Sequence, residues 1–263
     1  MIPGIKVDKG LFPLEGGLPG ETVCTGLDGL PSRAKEYYDQ GARFCKWRTA
    51  LKIDLATGAP SNLAIQEAAW GLARYARIAQ ENGLCPIVEP EILMDGDHDI
   101  ATTAAVQERV IAAVYKACND NGVYLEGSLL KPSMTVNGIE CPNKSSPEEV
   151  AKYTIQTLER VVPASVPGIT FLSGGLSEED ASIFLNTINK ETRVGPWSVT
   201  FSYSRAMQSS TLKKWGGKPE NVKAAQDQLL ARAIANSEAN LGRYIPGSQP
   251  SDQESLYVKN YQY

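Results

Sequence analysis

The sequence predicts a single α/β domain of the (β/α)-barrel class, and three observations carry that reading. Six apolar, β-favouring runs alternate with helical patterns, an order that requires a parallel sheet with helical crossovers. The runs end in polar or charged residues: Lys6, Lys46 with Arg48, Glu89 with Glu91, Lys131, Ser173, and Ser202 with Arg205. A barrel gathers such strand ends around one mouth, whereas an open sheet spreads them out. No Gly-x-Gly-x-x-Gly follows a strand, which weakens the competing open, doubly wound nucleotide-binding sheet.

In chain order the strands are expected at residues 4–7, 43–53, 86–93, 123–130, 168–173 and 197–203. A short helix is expected at 30–40. Over 62–82, Ile65, Ala68, Ala69, Leu72, Ala76 and Ala79 share one helical face, and Asn82-Gly83 supplies the stop. Residues 101–121 repeat the pattern with Val106, Val110, Ala113, Val114 and Ala117, ending at Asn121-Gly122. The helix at 147–161 opens on Pro147, with Glu148 and Glu149 beside the positive end of its dipole. Ser177-Glu-Glu-Asp180 resembles a capping box and opens a helix over 178–189. The last helical region is 218–244. Beyond Pro246 the chain is polar, with Gly247, Pro250 and Ser251, and reads as a mobile arm. No repeat, low-complexity block or linker divides the chain, so residues 1–245 and the 246–263 arm count as one domain.

Composition narrows the function. The 263 residues are 42% hydrophobic and 21% charged, ordinary for a globular protein able to bury a large core. A net charge of -4 gives no general attraction to nucleic acid or to anionic membranes. An anion site must therefore be built locally. Cys24, Cys45, Cys85, Cys118 and Cys141 are scattered and form no zinc pattern with the single histidine, His98. Buried free thiols in a reducing compartment are expected. No apolar run reaches the roughly 18 residues of a membrane span, and the N-terminus shows no secretory pattern.

The chemistry centres on Val123-Tyr-Leu-Glu-Gly-Ser-Leu-Leu-Lys-Pro-Ser133. An apolar run carries Lys131 to its end and Pro132 stops the strand. Hydrocarbon behind the side chain strips its hydration and favours the neutral amine, which can attack a carbonyl and form a Schiff base. Lys46 and Arg48, two apart, point the same way in a strand, as do Glu89 and Glu91. A second cation at Lys46 discourages protonation of Lys131, and the two glutamates can shuttle protons. Charge on a buried parallel strand is costly, which argues that these residues serve chemistry. Thr170-Phe-Leu-Ser-Gly-Gly175 ends a strand in a flexible turn whose backbone N–H groups suit a phosphate. Arg205 adds a bidentate cation. A plain strand-to-loop transition or tight turn remains the bland alternative for each piece alone.

With these residues in place the chain resembles the class I, Schiff-base fructose-1,6-bisphosphate aldolases, from Gly4 to Tyr263. The 123–133 stretch matches that family's active-site signature. Gly4-Ile-Lys-Val-Asp-Lys-Gly10, Phe44-Cys-Lys-Trp-Arg48, Val88-Glu-Pro-Glu-Ile92 and Phe171-Leu-Ser-Gly-Gly175 match in order. The resemblance implies an α/β TIM (β/α)8 barrel, of which this chain supplies strands 3–8 and lacks the N-terminal part. It implies a lyase of glycolysis and gluconeogenesis that reversibly cleaves fructose 1,6-bisphosphate to dihydroxyacetone phosphate and glyceraldehyde 3-phosphate, with no metal or cofactor. By the same resemblance Lys131 is the Schiff-base lysine, Glu89 the acid/base, with Glu91 and Lys46 beside it. Tyr263 is the terminal tyrosine that exchanges a proton at the enamine carbon. Lys6 and Arg48 are substrate-side cations, and Ser173, Gly174, Ser202 and Arg205 form the phosphate site.

Two departures from the family pattern stand out. Ser204 replaces a small glycine or alanine, and the family's first-strand catalytic aspartate has no counterpart here. Two missing strands would leave open edges, so the sequence reads as a partial product beginning at an internal methionine. The family further implies a homotetramer, possible binding to actin or membrane-pump subunits, no nucleic acid, and a cytoplasmic location with the plastid as an alternative. A catalytically impaired chain kept as a binding module is the second reading.

Overall fold

The computed structural model describes residues 1–191 and 195–259. Along it run β1 (Gly4–Lys6), a hairpin of β2 (Leu11–Pro13) and β3 (Thr22–Cys24), α1 (Leu30–Asp39), β4 (Phe44–Leu51), α2 (Asn62–Glu81), β5 (Cys85–Ile92) and α3 (Ile100–Asp120). Then follow β6 (Leu129–Leu130), α4 (Pro147–Val161), β7 (Gly168–Phe171), α5 (Glu178–Lys190), β8 (Ser198–Phe201), α6 (Arg205–Trp215) and α7 (Val222–Asn240). Six strands form one parallel sheet in the order β1-β4-β5-β6-β7-β8, the sequential order of a barrel wall. Among the described residues no ladder joins β8 back to β1, so this wall is open on one side.

Local chemistry starts the helices where the sequence marks them. The hydroxyl of Ser61 accepts the Ala64 N–H at 3.1 Å, and Asp99 accepts the Thr102 N–H at 2.8 Å. A full reciprocal capping box forms at Ser146 and Glu149. Ser177 caps α5 through the Asp180 N–H at 2.9 Å. The apolar faces then close on the sheet. Trp47 of β4 stacks on Tyr75 of α2, ring centroids 5.5 Å apart. The buried Tyr75 hydroxyl donates to the carbonyls of Cys45 at 2.7 Å and Ile87 at 3.1 Å. Leu72, Leu130, Ile169, Phe171 and Leu185 complete this core. Fully burying one such leucine contributes about 1.5–3 kcal/mol. Since Cys45 and Trp47 meet Tyr75 on the helix side, Lys46 and Arg48 fall on the opposite face of β4, as the alternation predicts.

The structure corrects three expectations and adds two elements. Only Leu129–Leu130 of the 123–130 run pairs as strand, and Leu125–Gly127 is a 3₁₀ turn. The Gln80 side chain forces that turn by accepting the Tyr124 N–H at 3.0 Å and donating to the Tyr124 carbonyl at 2.7 Å. Here tertiary contacts override β propensity. The strand expected over 197–203 ends at Phe201, and the helix expected over 218–244 begins only at Val222, behind a 3₁₀ turn at Pro219–Asn221. Helix α6 is absent from the sequence reading because it buries only Ala206 and shows almost no amphipathic stripe. The β2–β3 hairpin was also missed, its strands being three residues long. Cys45, Cys118 and Cys141 are buried free thiols, Cys24 and Cys85 partly so; burial pushes the Cys45 thiol up to about 12.

Candidate active site

Parallel pairing places the charged residues by register. Lys46 of β4 lies beside Lys6 of β1, and Arg48 beside Glu89 of β5. Lys131 follows β6 directly, its N–H bonded to the Val88 carbonyl at 2.7 Å. Four adjacent strands thus deliver their cations and carboxylates to the same end of the sheet, where side chains on alternate positions meet.

A chain of opposite charges results. Lys6 Nζ meets Asp8 Oδ1 at 2.6 Å, and Asp8 Oδ2 stands 4.0 Å from Lys46 Nζ. Lys46 Nζ lies 2.9 Å from Glu89 Oε2, an ion pair without hydrogen-bond alignment. The other oxygen of Glu89 lies 3.2 Å from Lys131 Nζ. Glu89 therefore bridges the two lysines, where the sequence suggested bare repulsion between them. Glu89 is 2% exposed and Lys131 8%. In so dry a setting the carboxylate is within reach of the proton that the Lys131 amine must lose before it can attack a carbonyl. Glu91 pairs with Arg48 Nε at 2.5 Å. Burial holds the Glu91 carboxyl above its ordinary range and the charge of Glu89 adds to this, while Arg48 opposes both. One glutamate thus faces two ammonium groups and its neighbour is biased toward the protonated acid, a division suited to moving protons both ways.

Beside this array opens a cavity of about 190 Å³ lined by Glu89, Glu91, Lys131, Leu172, Ser173, Gly174, Ser202, Ser204 and Arg205. Seven expected site residues, Lys131, Glu89, Glu91, Ser173, Gly174, Ser202 and Arg205, thus share one space. Lys46 and Arg48 join it through Glu89 and Glu91 rather than by lining it, and Lys6 stands one step further back, behind Asp8 and Lys46. Tyr263 lies outside the described residues. In the 173–175 turn the N–H groups of Gly175 and Leu176 close on the Ser173 carbonyl at 2.7 and 2.9 Å, so the backbone cradle is narrower than expected.

Three features escaped the sequence reading. Asp8 organises Lys6 and Lys46; its place two residues after Lys6 in an extended segment is the signal that could have found it. Arg205 is the first residue of α6 and Ser204 its N-cap, and both line the cavity, so the N-terminal end of a helix lies at its wall. Residues 251–257 cross the mouth: the Leu256 carbonyl accepts from Arg205, and the Tyr257 hydroxyl donates to Asp95 at 2.8 Å.

The family model for class-I fructose-bisphosphate aldolase matches residues 1–263. The cytosolic fructose-bisphosphate aldolase 4 of Arabidopsis thaliana is 58% identical over 265 residues, spanning 100% of this chain and 67% of the relative. The chloroplastic enzyme of Oryza sativa subsp. japonica is 54% identical, spanning 100% and 66%. Among solved structures, fructose-bisphosphate aldolase from Plasmodium falciparum, crystallised with TRAP and a small-molecule inhibitor, superposes with a TM-score of 0.91 at 54% identity. That match covers 94% of this chain and 71% of that one.

Proposed function

The chain belongs to the class-I fructose-bisphosphate aldolase family, has the function of a fructose-bisphosphate aldolase on a TIM-barrel fold, and from that premise we propose how its side chains divide the work. Glu89 takes a proton from Lys131, and the neutral amine attacks the C2 carbonyl of fructose 1,6-bisphosphate. Protonation and loss of the carbinolamine hydroxyl as water give the iminium. As the C4 hydroxyl yields its proton to a carboxylate, the C3–C4 bond breaks and its electron pair flows into the iminium. Glyceraldehyde 3-phosphate leaves. The enamine takes a proton at C3, the step given to Tyr263 by resemblance, and hydrolysis frees dihydroxyacetone phosphate and Lys131.

Ser173, Gly174, Ser202, Arg205 and the N-terminus of α6 suit one phosphate, where a charged donor and helix N–H groups converge. Lys6, Arg48 and Lys46 supply positive charge toward the rest of the sugar. The observation that carries the assignment is the Glu89 carboxylate set between Lys46 and Lys131 at the wall of this cavity. A binding module without chemistry is not favoured, because burying five charged groups (Asp8, Arg48, Glu89, Glu91 and Lys131) at one end of the sheet is costly without a catalytic return.

Borohydride reduction in the presence of dihydroxyacetone phosphate tests the reading. We expect one adduct, mapped to Lys131 and lost in Lys131→Arg; an adduct on another lysine overturns the assignment. By family likeness the aldehyde-lyase activity belongs to a homotetramer. Relatives are both cytosolic and chloroplastic, and the cytoplasm is the proposed compartment.

A further inference from the structure

Two carboxylates that do not line the cavity, Glu178 and Glu179, are buried in the first turn of α5, just beyond the 173–175 turn. Buried carboxylates are costly unless their oxygens are engaged, so their partners indicate their purpose. Glu179 accepts the Gly247 N–H at 2.8 Å, the Ser251 hydroxyl at 2.6 Å, and the Tyr244 hydroxyl at 2.9 and 2.8 Å on its two oxygens. Glu178 accepts the Asp252 N–H at 2.9 Å and, on its other oxygen, the N–H and hydroxyl of Ser210 in α6 at 2.9 and 3.0 Å. Arg232 Nε stands 3.6 Å from Glu178, and the same guanidinium donates to the Glu178 carbonyl at 2.7 Å.

The segment leaving α7 is thus tied at 244, 247, 251 and 252. A few residues later it reaches the mouth, where the Leu256 N–H and the Ser255 hydroxyl donate to the Gly175 carbonyl at 3.0 and 3.2 Å. Gly175 has φ +141°, and a Cβ there would lie 3.0 Å from the Tyr257 Cα, so the arm packs directly on bare backbone.

We propose that Glu178 and Glu179 are positioning residues for the aldol reaction: by fixing the root of the C-terminal arm they set where residues 253–259 lie at the mouth. Five residues of extended chain reach roughly 17 Å at most, so a root that drifts carries the distal segment with it. Charge strengthens each bond. A neutral amide at 179 would keep one acceptor for the Gly247 N–H, but its NH₂ would reverse the bonds from the Ser251 and Tyr244 hydroxyls and remove the charge that strengthens all of them. The proposal rests on the reading that the terminal residues deliver the proton to the enamine.

The test uses the full chain with Glu179→Gln and Glu178→Gln, and Tyr244→Phe as a milder variant. Amide hydrogen exchange at Leu256, which neither carboxylate touches, should quicken at least tenfold. Borohydride trapping at Lys131 should stay within twofold, and proton exchange at C3 of dihydroxyacetone phosphate should fall at least tenfold. In a Tyr263→Phe background, Glu179→Gln should cause no further fall. Wild-type protection at Leu256, a loss that adds to that of Tyr263→Phe, or trapping that falls in step with thermal stability overturns the positioning role. Undiminished proton exchange in Tyr263→Phe alone refutes the reading of Tyr263, and the anchoring is then decided by the Leu256 amide.

Discussion

Replacing Glu89 by glutamine keeps the shape of the side chain and removes both its charge and its ability to take a proton. Two ammonium groups lie 2.9 and 3.2 Å from its oxygens. With an effective dielectric near 20, each contact has a Coulomb energy of about 5 kcal/mol before desolvation is subtracted. Lys46 and Lys131 would be left facing an uncharged amide, and breaking a buried pair costs about 3–5 kcal/mol in the worst case. Catalysis loses by a comparable amount, because the proton acceptor for the amine and the donor for the departing hydroxyl disappear together. General acid–base catalysis contributes about 10²–10⁴-fold, so kcat for fructose 1,6-bisphosphate should fall by that order, about 2.7–5.5 kcal/mol in barrier height. Steady-state cleavage, pre-steady-state trapping at Lys131 and a melting curve on the same sample separate the two effects. A Glu89→Gln enzyme within threefold of the parent, beside a Glu91→Gln enzyme reduced a hundredfold, would refute the role of Glu89 and move the proton transfer to its neighbour.

Two further expectations follow from the same geometry. Arg205→Ala should raise KM for the bisphosphate roughly ten- to hundredfold, the loss of a hydrogen-bonded charge worth about 1.5–3 kcal/mol, with trapping at Lys131 still observed at saturating substrate; an unchanged KM would place the phosphate elsewhere. Burial raises the Glu91 carboxyl above the ordinary value of 4.5, so the folded state binds its proton more tightly than the unfolded state. Its contribution to stability is therefore complete below pH 4.5 and is lost as pH rises through the folded-state value. The stability of the parent relative to Glu91→Gln should decline over that window; a difference that grows with pH would contradict the cause assigned.

Much of the site was legible in the chain because charge on apolar, β-favouring runs is improbable without a reason. Lys46 with Arg48, and Glu89 with Glu91, stood out by spacing alone, and both pairs share a face as period-two alternation requires. Helices α2, α3, α4 and α5 were legible from their periodic faces and their stop or cap residues. Helix α6 was not, since a helix that buries one alanine leaves no periodic trace. The 123–130 run misled because it reads as strand by propensity, while Gln80, more than forty positions away, holds Tyr124 in a turn.

The amino-acid order by itself determined the alternating architecture and the family, and it singled out Lys131 as the lysine proposed to react, since each depends on local periodicity or on contiguous motifs. Only the folded molecule decided that Glu89 sits between Lys46 and Lys131, that Asp8 reaches both Lys6 and Lys46, that the start of α6 lines the same cavity, and that the C-terminal arm is fastened by Glu178 and Glu179. Those relations depend on strand register and on contacts between residues far apart in the chain. Such pairings acquire an energy only when the backbone brings them together out of water.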